Sequence, residues 1–415
     1  MKNILRLGIL ATLLIVVASS DIEAQCFVNP DTGQLEQPDG TPCPNVIATA
    51  VPFLRIVGDA RSGAMGDVGI GISPDANAVG FNSSKLAFAK ENLGISATYT
   101  PWLQALGLND VYMAYLTGFT KLSEQEAVGL GLRYFKLGEI NFTDVNGEPL
   151  GVGNPNEFEI KASYARQLSD NFAASLGAKY IYSNLASGQQ VGGTEINAGT
   201  SFAADLSFTY MNDEVQLGDT ESTLMIGAAV TNIGSKITYT NASNDQRDFI
   251  PTNLGLGAGW TFAFDDFNEL TVAVDFNKLL VPTPCEDITD DGINDCDEDG
   301  DGIPEWKEES PIGGIFTSFG DAPDGFGEEL NEISTSFGLE YWYDQQFAVR
   351  AGYYTEHETK GNRKFLTVGL GLKYNIFGLN FSYLVPTTNQ RNPLDNTLRF
   401  SLLFDFGAFD PAAGE

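Results

Sequence analysis

The most specific chemistry in this sequence comes from carboxylates in an acidic stretch of its second half. Calcium takes about six to eight oxygen ligands, and a short loop with carboxylates at alternating positions and an acidic residue near its end can wrap one ion. Five carboxylates and one backbone carbonyl have this spacing, at Asp297, Asp299, Asp301, Ile303, Glu305 and Glu308. The stretch therefore predicts a structural calcium site.

A weaker copy of the same pattern comes directly before it. Its acidic positions are Asp287, Asp291 and Asp295. Cys285 and Cys296 flank this copy, and a disulfide between them would staple it. The alternative interpretation is an acidic, disordered loop without a metal. The spacing favours calcium, which would make the loop rigid.

Catalytic chemistry has little support in the sequence. Hydrolytic triads generally need a histidine base, and the one histidine, His357, lies between two glutamates in a predicted outer loop. The glycines at residues 255–259 and 369–371 alternate within predicted strands, as small inward-facing residues would, and do not form phosphate-binding loops. We therefore expect a protein that is not an enzyme.

The charge balance excludes one class of partner. The chain has 23 basic residues against 55 acidic ones, which gives a net charge of −32. Binding to nucleic acid requires a basic surface that releases counterions from the phosphates. Nucleic acid is therefore not an expected partner.

The N-terminus predicts export from the cytoplasm. Residues 1–24 have basic residues at the start, an apolar core and small residues before Ala24, as a secretory signal peptide does. Residues 25–52 form an N-terminal extension. Cys26 and Cys43 make a second local cysteine pair, which is typical of structural disulfides in an oxidising compartment.

The rest of the chain predicts one large sheet. From about Leu93 it alternates apolar with small or polar residues, which gives a strand one apolar and one polar face. We count about fourteen strands, an even number as in single-chain bacterial barrels. They start near Leu93, Asp110, Val128, Glu157, Phe172, Glu195, Ser222, Thr252, Leu270, Ile333, Phe347, Lys364, Ile376 and Thr397. The predicted fold is all-β, an antiparallel transmembrane β-barrel over residues 93–409 in the outer membrane of a Gram-negative bacterium.

Connection lengths support this topology. Transmembrane barrels have short periplasmic turns and longer outer loops. The predicted connections alternate in this way, and the longest is an acidic outer loop at residues 280–331. Two features fit less well, since the connection at 212–221 is long for a periplasmic turn and the second strand, 111–119, is almost wholly apolar.

Charged residues are expected on the inner face of the barrel. There they either line a path or pair with one another. The predicted set is Arg133, Lys161, Lys179, Asp205, Asp275, Glu340 and Arg350.

Residues 53–92 precede the barrel and lack strand periodicity, which suits a hatch that enters the lumen from the periplasmic side. Three stretches, 59–69 (DARSGAMGDVG), 73–76 (SPDA) and 82–88 (NSSKLAF), resemble the PorV/PorQ family of outer-membrane proteins. That family usually has an Asn-Pro-Ala-Lys-like element where this chain has Asn82, Ser83, Ser84 and Lys85. A different local turn is expected there.

The resemblance implies a FadL-like barrel of the type IX secretion system. Such a protein binds cargo through its C-terminal signal domain as the cargo leaves the translocon barrel. It then delivers the cargo to the surface sortase and attachment complex, for attachment to lipopolysaccharide. The alternative is a FadL-like transporter of long-chain fatty acids or other hydrophobic compounds, which predicts an apolar pocket in the lumen. The inward-facing residues are mainly small, polar or charged, which favours the secretion role.

Overall fold

The structure, a computed structural model, describes residues 27–28, 35–36, 43–103, 107–143, 148–191, 194–218, 220–240, 247–285, 296–297, 300, 303–388 and 393–407. Fourteen antiparallel strands pair in chain order, and the last pairs with the first to close a barrel. They are β1 (Leu93–Pro101), β2 (Val111–Ser123), β3 (Glu126–Leu137), β4 (Asn156–Ser169), β5 (Phe172–Asn184), β6 (Gly199–Leu217), β7 (Thr220–Gly234), β8 (Asn253–Ala263), β9 (Asn268–Leu279), β10 (Ser334–Tyr343), β11 (Phe347–Thr355), β12 (Lys364–Tyr374), β13 (Phe377–Pro386) and β14 (Leu398–Phe406). The predicted fold class and strand number are confirmed.

The alternation in the sequence produces two different faces of the sheet. In β10, Phe337 and Leu339 are about half exposed on the outside, whereas Ser336 and Glu340 are buried inside. Successive side chains of a strand point to opposite faces, so this arrangement continues along each strand. The apolar outer face suits the hydrocarbon of a bilayer, and a closed sheet leaves no unpaired edge in it.

The connections between strands sort by length onto the two ends of the barrel. Turns of four residues or fewer lie at one end, the short-turn mouth, at residues 124–125, 170–171, 218–219, 264–267, 344–346 and 375–376. The longer connections, including residues 280–333, lie at the other end, the long-loop mouth. In transmembrane barrels the longer loops are on the outer side, so the long-loop mouth faces outward.

The expectation of a long turn at residues 212–221 is wrong. β6 and β7 extend to Leu217 and Thr220, with a register shift between Asn212 and Val215. The stretch is mostly polar, with Val215 and Leu217 as its apolar side chains, and therefore resembles a loop in sequence. Ladder hydrogen bonds come from the backbone, so a polar strand can continue beyond the membrane.

The structure also explains why β2 alternates so weakly. Its inward-facing Val111 and Met113 are buried in an apolar cluster with Phe53 of the N-terminal segment. Its outward-facing Leu116 is exposed on the lipid side. Both faces of this strand therefore need apolar residues, because a protein segment and not water covers the inner one.

Several short elements lie outside the barrel sheet. Two-stranded pairs are formed by Ile140–Thr143 with Pro149–Gly153, by Gln190–Val191 with Thr194–Glu195, and by Phe27–Val28 with Leu35–Glu36. Helical turns before the barrel are Pro52–Arg55, Ala60–Gly63, Ala78–Phe81 and Ser83–Phe88, and those in outer loops are Glu305–Glu308, Pro311–Thr317, Phe326–Asn331 and Glu358–Lys360. Within the described ranges, no helix has the length and apolar character needed to cross a membrane.

The N-terminal segment takes a different path from the expected one. Val51, Phe53 and Leu54 pack at the long-loop mouth, in one cluster with residues such as Trp102 just beyond the end of β1. The chain then crosses the lumen and reaches Leu93 at the short-turn mouth. Insertion from the periplasmic side is therefore wrong. The first apolar residues of the segment find their apolar ring only at the outer end of the barrel.

Candidate functional site: a filled lumen and an outer cap

Arg61 is the centre of the ion pairs that hold residues 53–92, the hatch, inside the barrel. Asp59 caps the helical turn Ala60–Gly63, which contains Arg61, by accepting a hydrogen bond from the Ser62 nitrogen at 2.8 Å. Arg61 then makes two hydrogen bonds to the Glu340 carboxylate, at 2.9 and 2.7 Å. Arg350 donates to the same carboxylate at 2.6 Å. These charges are all buried, so each depends on the others for compensation.

Asp275 on β9 holds the next turn of the hatch. Its carboxylate accepts hydrogen bonds from the backbone nitrogens of Gly69 and Ile70, at 2.7 and 2.9 Å. From within the hatch, the Lys85 ammonium donates to the Gly69 carbonyl at 2.6 Å. The same turn is therefore fixed from two sides.

Other inward-facing charges pair along the barrel wall. The ammonium groups of Lys161 and Lys179 lie 2.5 and 3.1 Å from one oxygen of Asp205. Lys179 also lies 3.7 Å from Glu159. Of the two sequence interpretations of these charges, mutual pairing is therefore the observed one.

Arg133 links this wall network to the start of the hatch. It pairs with Glu159 at 3.3 Å. One of its terminal nitrogens also donates to the backbone carbonyls of Phe53 and Leu54, at 3.0 and 2.9 Å. A wall charge thus satisfies carbonyls that would otherwise be buried without partners.

Inward-facing glycines allow the hatch to touch the wall. A side-chain carbon at Gly352 would overlap the backbone of Met65 and Gly66, and one at Gly259 would overlap the Gly71 carbonyl. Only glycine lets two backbones approach so closely. The inward placement predicted for the glycines of residues 255–259 and 369–371 is confirmed.

Two cavities lie beside the hatch in the lumen, and each is lined by both charged and apolar residues. The outer one has a volume of about 130 Å³ and includes Arg133, Asp275 and Arg363 in its lining. The other, of about 300 Å³ at the short-turn mouth, includes Arg61 and Asp405. The charged side chains in both linings distinguish these cavities from the apolar lumen pocket expected of a transporter for hydrophobic compounds.

The long-loop mouth is covered by what we call the outer cap, residues 43–52, 303–333 and 356–363. The Asn45 nitrogen donates to the Thr359 carbonyl at 2.9 Å, and the Asn45 amide donates to Glu328 at 3.2 Å. The Ala50 nitrogen donates to the Phe249 carbonyl at 2.9 Å. The N-terminal segment therefore joins several outer loops into one layer.

Buried acids of residues 303–333, the cap loop, attach it to the rim of the barrel. Lys278 lies 3.0 Å from Glu329 and also bonds Glu332. Lys360 bonds Glu328 and lies 3.1 Å from Glu332. Each of the three acids thus meets at least one ammonium group.

Glu356 provides a second attachment within the cap. It bonds Arg363 and accepts from the Tyr354 hydroxyl at 2.7 Å, with Arg55 at 3.4 Å. Burial alone would raise the pKa of Glu356, but hydrogen bonding and the charge of Arg363 outweigh it, and the pKa lies below its usual range.

Comparison with known families decides which barrel this is. The family model described as "Type IX secretion system protein PorV" matches residues 41–286. The chain belongs to the PorV family. Its match covers the hatch and the barrel as far as β9, and membership makes the chain an outer-membrane component of the type IX secretion system. No curated protein matches the sequence.

Several solved structures are similar to this PorV-family chain. The toluene transporter TbuX of Ralstonia pickettii has 11% identity and a TM-score of 0.45, covering 84% of this chain and 98% of its own. The toluene transporter TodX of P. putida has 10% identity, a TM-score of 0.45 and coverages of 85% and 100%. A FadL homologue of Pseudomonas aeruginosa has 10% identity, a TM-score of 0.41 and coverages of 88% and 100%. At these scores the similarities carry no argument about function.

The element formed by Asn82, Ser83, Ser84 and Lys85 is buried in this PorV-family chain. The Asn82 amide donates to the Thr209 hydroxyl on β6 at 2.9 Å, and its carbonyl oxygen caps the following turn at the Ser84 nitrogen. The Ser84 and Thr209 hydroxyls lie 2.7 Å apart. The serines thus contribute to the attachment of the hatch to the wall.

The predicted cysteine and metal residues are only partly described. Cys285 and Cys296 form a disulfide with a Cα–Cα distance of 5.9 Å, and Cys43 is disulfide-bonded, while Cys26 lies outside the described residues. The metal positions outside them are Asp287, Asp291, Asp295, Asp299 and Asp301. Asp297, Ile303, Glu305 and Glu308 are described, and Asp297 accepts from the Gly300 nitrogen at 2.8 Å. The described part of the chain holds no cluster of three metal-binding side chains.

Sequence reasoning missed the three acids that attach the cap loop. Glu328, Glu329 and Glu332 belong to an acidic loop, where carboxylates normally face water. The sequence contained one signal for a buried helix side. Phe326 and Leu330 are about one helical turn apart and therefore lie on the same side of a helix, and an amphipathic helix buries one of its sides. From the sequence alone, however, the side with Phe326 and Leu330 would have been predicted to be buried, whereas the structure buries the acids.

Proposed function

We propose that this protein is a non-catalytic cargo carrier of the type IX secretion system. It binds exported proteins by their C-terminal signal domain as they leave the translocon barrel, and it delivers them to the surface sortase and attachment complex. Membership of the PorV family assigns the protein to the type IX secretion system. The observation that carries the proposal is the hatch, which crosses the lumen and is held there by buried ion pairs. A barrel whose lumen is occupied by the hatch offers its partners a binding surface and does not offer cargo a route through the lumen.

The outer cap supplies a surface suited to this role. Its loops are attached by Lys278, Lys360 and Arg363 to buried acids, so little ordering remains to be done on binding. Pre-ordered surfaces bind with a smaller loss of conformational entropy. A folded cargo domain is a partner for which this matters, because it presents a fixed shape.

Deletion in the native bacterium tests the proposal. Without this protein, cargo with a C-terminal signal domain should disappear from the surface-anchored fraction, as measured by immunoblotting of fractionated cells. Complementation with Lys278→Met plus Lys360→Met, which detaches the cap loop, should restore the barrel but not anchoring. Lys90→Met, an exposed lysine at the short-turn mouth, is the control. A deletion strain that still anchors its cargo overturns the proposal.

A FadL-like transporter of long-chain fatty acids or other hydrophobic compounds is the competing hypothesis. It needs an apolar binding pocket within the lumen, whereas the linings of the cavities beside the hatch include charged residues such as Arg61 and Arg133. Uptake of labelled oleate by the same deletion strain separates the two roles. Uptake that falls while cargo anchoring persists would favour transport.

We also propose that the acidic loop binds calcium, as its spacing predicts. The ligands would be Asp297, Asp299, Asp301, Glu305 and Glu308 with the Ile303 carbonyl, and the weaker copy lies inside the Cys285–Cys296 disulfide. Full-length protein in detergent should be cleaved by protease within residues 280–331 about tenfold more slowly with calcium than with a chelator. The same change in Asp299→Asn plus Asp301→Asn, or no change in the parent chain, would remove the site.

A further inference from the structure

The cap loop buries acidic residues and exposes large apolar ones, which is the reverse of a surface that faces water. In its helix Phe326–Asn331, Glu328 and Glu329 are buried. Phe326 is 76% exposed and Leu330 is 52% exposed. Acidic residues are rarely buried and large apolar ones rarely stand out in a group, so this arrangement needs a cause.

The cause of the burial is the rim of the barrel. Lys278 occupies an outward-facing position at the end of β9, where it meets Glu329 and Glu332. Lys360 meets Glu328 from the neighbouring loop. Because these pairs fix the acidic side of the helix against the barrel, the apolar side is held outward.

The preceding helix of the cap loop repeats the pattern. Ser310 caps Pro311–Thr317, and Gly314 is its buried residue, packed against Pro282 and Phe249. Phe316 is 74% exposed, with Ile312 one turn earlier also exposed. Two helices of one loop therefore present apolar residues away from the cap.

An apolar pocket lies between this loop and the outside of the barrel. Its volume is about 190 Å³. One wall consists of outward-facing barrel residues, Leu254, Leu256 and Phe276, and the other of Phe319, Phe326, Leu330 and Ile333 from the cap loop. The barrel wall of the pocket belongs to the belt that contacts lipid, so the pocket opens sideways into the membrane.

We propose that this pocket binds an acyl chain of an outer-leaflet lipid and seats the cap loop in that leaflet. The pocket continues the lipid-facing belt, where acyl chains are already the neighbours of Leu256 and Phe276. Its polar edge is Lys278 and Glu329, which pair with each other. Recognition is therefore of the hydrocarbon chain and not of a headgroup charge. Burying the exposed phenylalanines in hydrocarbon removes them from water.

Spin labels test where the loop lies. Cysteine is introduced at Phe316 or Phe326 of the full chain, labelled with a nitroxide, and the protein is placed alone in vesicles of phosphatidylethanolamine and lipopolysaccharide. Oxygen, which concentrates in hydrocarbon, should relax these labels more than a water-soluble nickel complex does. Thr317→Cys, exposed in the same helix beside Phe316, is the control and should show the reverse. Water-like behaviour at both phenylalanine positions overturns the proposal, and so does protection that appears only after a partner protein is added.

Cross-linking tests the pocket itself. A lipid with a photoreactive group on its acyl chain should label the peptide that contains Leu330 and Ile333. Phe319→Ser removes part of one wall of the pocket at an exposed position. Labelling of the peptide that contains Leu330 and Ile333 should then fall about tenfold. Labelling at Leu370, on the lipid-facing side of β12, should stay constant. Equal labelling of the variant and the parent chain would overturn the pocket.

Discussion

The hatch and the cap loop both attach to the barrel through buried charges, but they differ in what they turn away from it. Around Arg61, the hatch is enclosed by wall residues such as Glu340, and glycines such as Gly352 meet it elsewhere. The cap loop buries Glu328 and Glu329 and leaves Phe326 outside. The hatch is therefore covered by the protein itself, whereas the apolar side of the cap loop needs lipid or a partner to cover it.

This difference gives the two regions different sensitivities. When a buried charge inside the lumen loses its partner, water cannot take the partner's place. Removing one partner of such a pair therefore leaves an uncompensated ion. An exposed side chain of the cap loop loses little in detergent, because it has few protein contacts to lose. Changes in the hatch should therefore affect stability, and changes on the outer side of the cap loop should affect membrane contact.

The largest expected effect is from Arg61→Met. It leaves the Asp75 and Glu340 carboxylates short of a partner inside the barrel, so the free energy of unfolding should fall by about 3–5 kcal/mol. Urea unfolding in detergent measures this, and ion conductance in planar bilayers should rise as the hatch loosens. Arg166→Met is the matched control, since its pair with Glu126 is 3.5 Å long with Arg166 58% exposed, and it should cost less than about 1 kcal/mol. Equal effects of the two variants would contradict the proposed role of Arg61.

A single methyl group should also disturb the contact between hatch and wall. In Gly352→Ala the new carbon overlaps the backbone of Met65 and Gly66, so stability should fall by about 1–3 kcal/mol. Thermal unfolding followed by circular dichroism measures the loss. Gly320→Ala in the cap loop meets nothing within 4 Å and should change stability very little. If both variants unfold together with the parent chain, the hatch does not press on the wall.

Acid should loosen the outer cap. Since Arg363 keeps the pKa of Glu356 below its usual range, their pair stabilises the cap at neutral pH, and this stabilisation is lost as the pH falls through the folded-state pKa. Backbone hydrogen exchange in residues 356–363, corrected for intrinsic rates, should rise when the pH is lowered below the usual range of a glutamate pKa. Glu356→Gln should flatten this dependence. A wild-type profile in that variant would show that another group controls it.

The smallest effect on stability is expected from Phe316→Ser. The side chain is mostly exposed, so the free energy of unfolding in detergent should change by less than about 0.5 kcal/mol. In vesicles the same variant should lose resistance to added protease within the cap loop. A large loss of stability in detergent would mean that Phe316 packs against the protein.

Much of the fold could be predicted because its signals are local. The period-two alternation, the parity of connection lengths and the starts of strands such as β5 and β12 depend only on neighbouring residues. Prediction failed at residues 212–221, where a strand leaves the membrane and loses its apolar face. It also failed on the direction of the hatch, because nothing within the segment states which mouth its apolar residues meet.

For the candidate site, the sequence determined the supply of groups: charges on the inner face, glycines at alternating positions and an acidic outer loop. Only the tertiary structure decided their use. Arg61 meets Glu340 across 279 residues of sequence, and Lys278 meets Glu332 across 54. Such pairs form because barrel closure and loop folding bring distant positions to one place where water is excluded, and no local pattern records which cation a buried acid will find there.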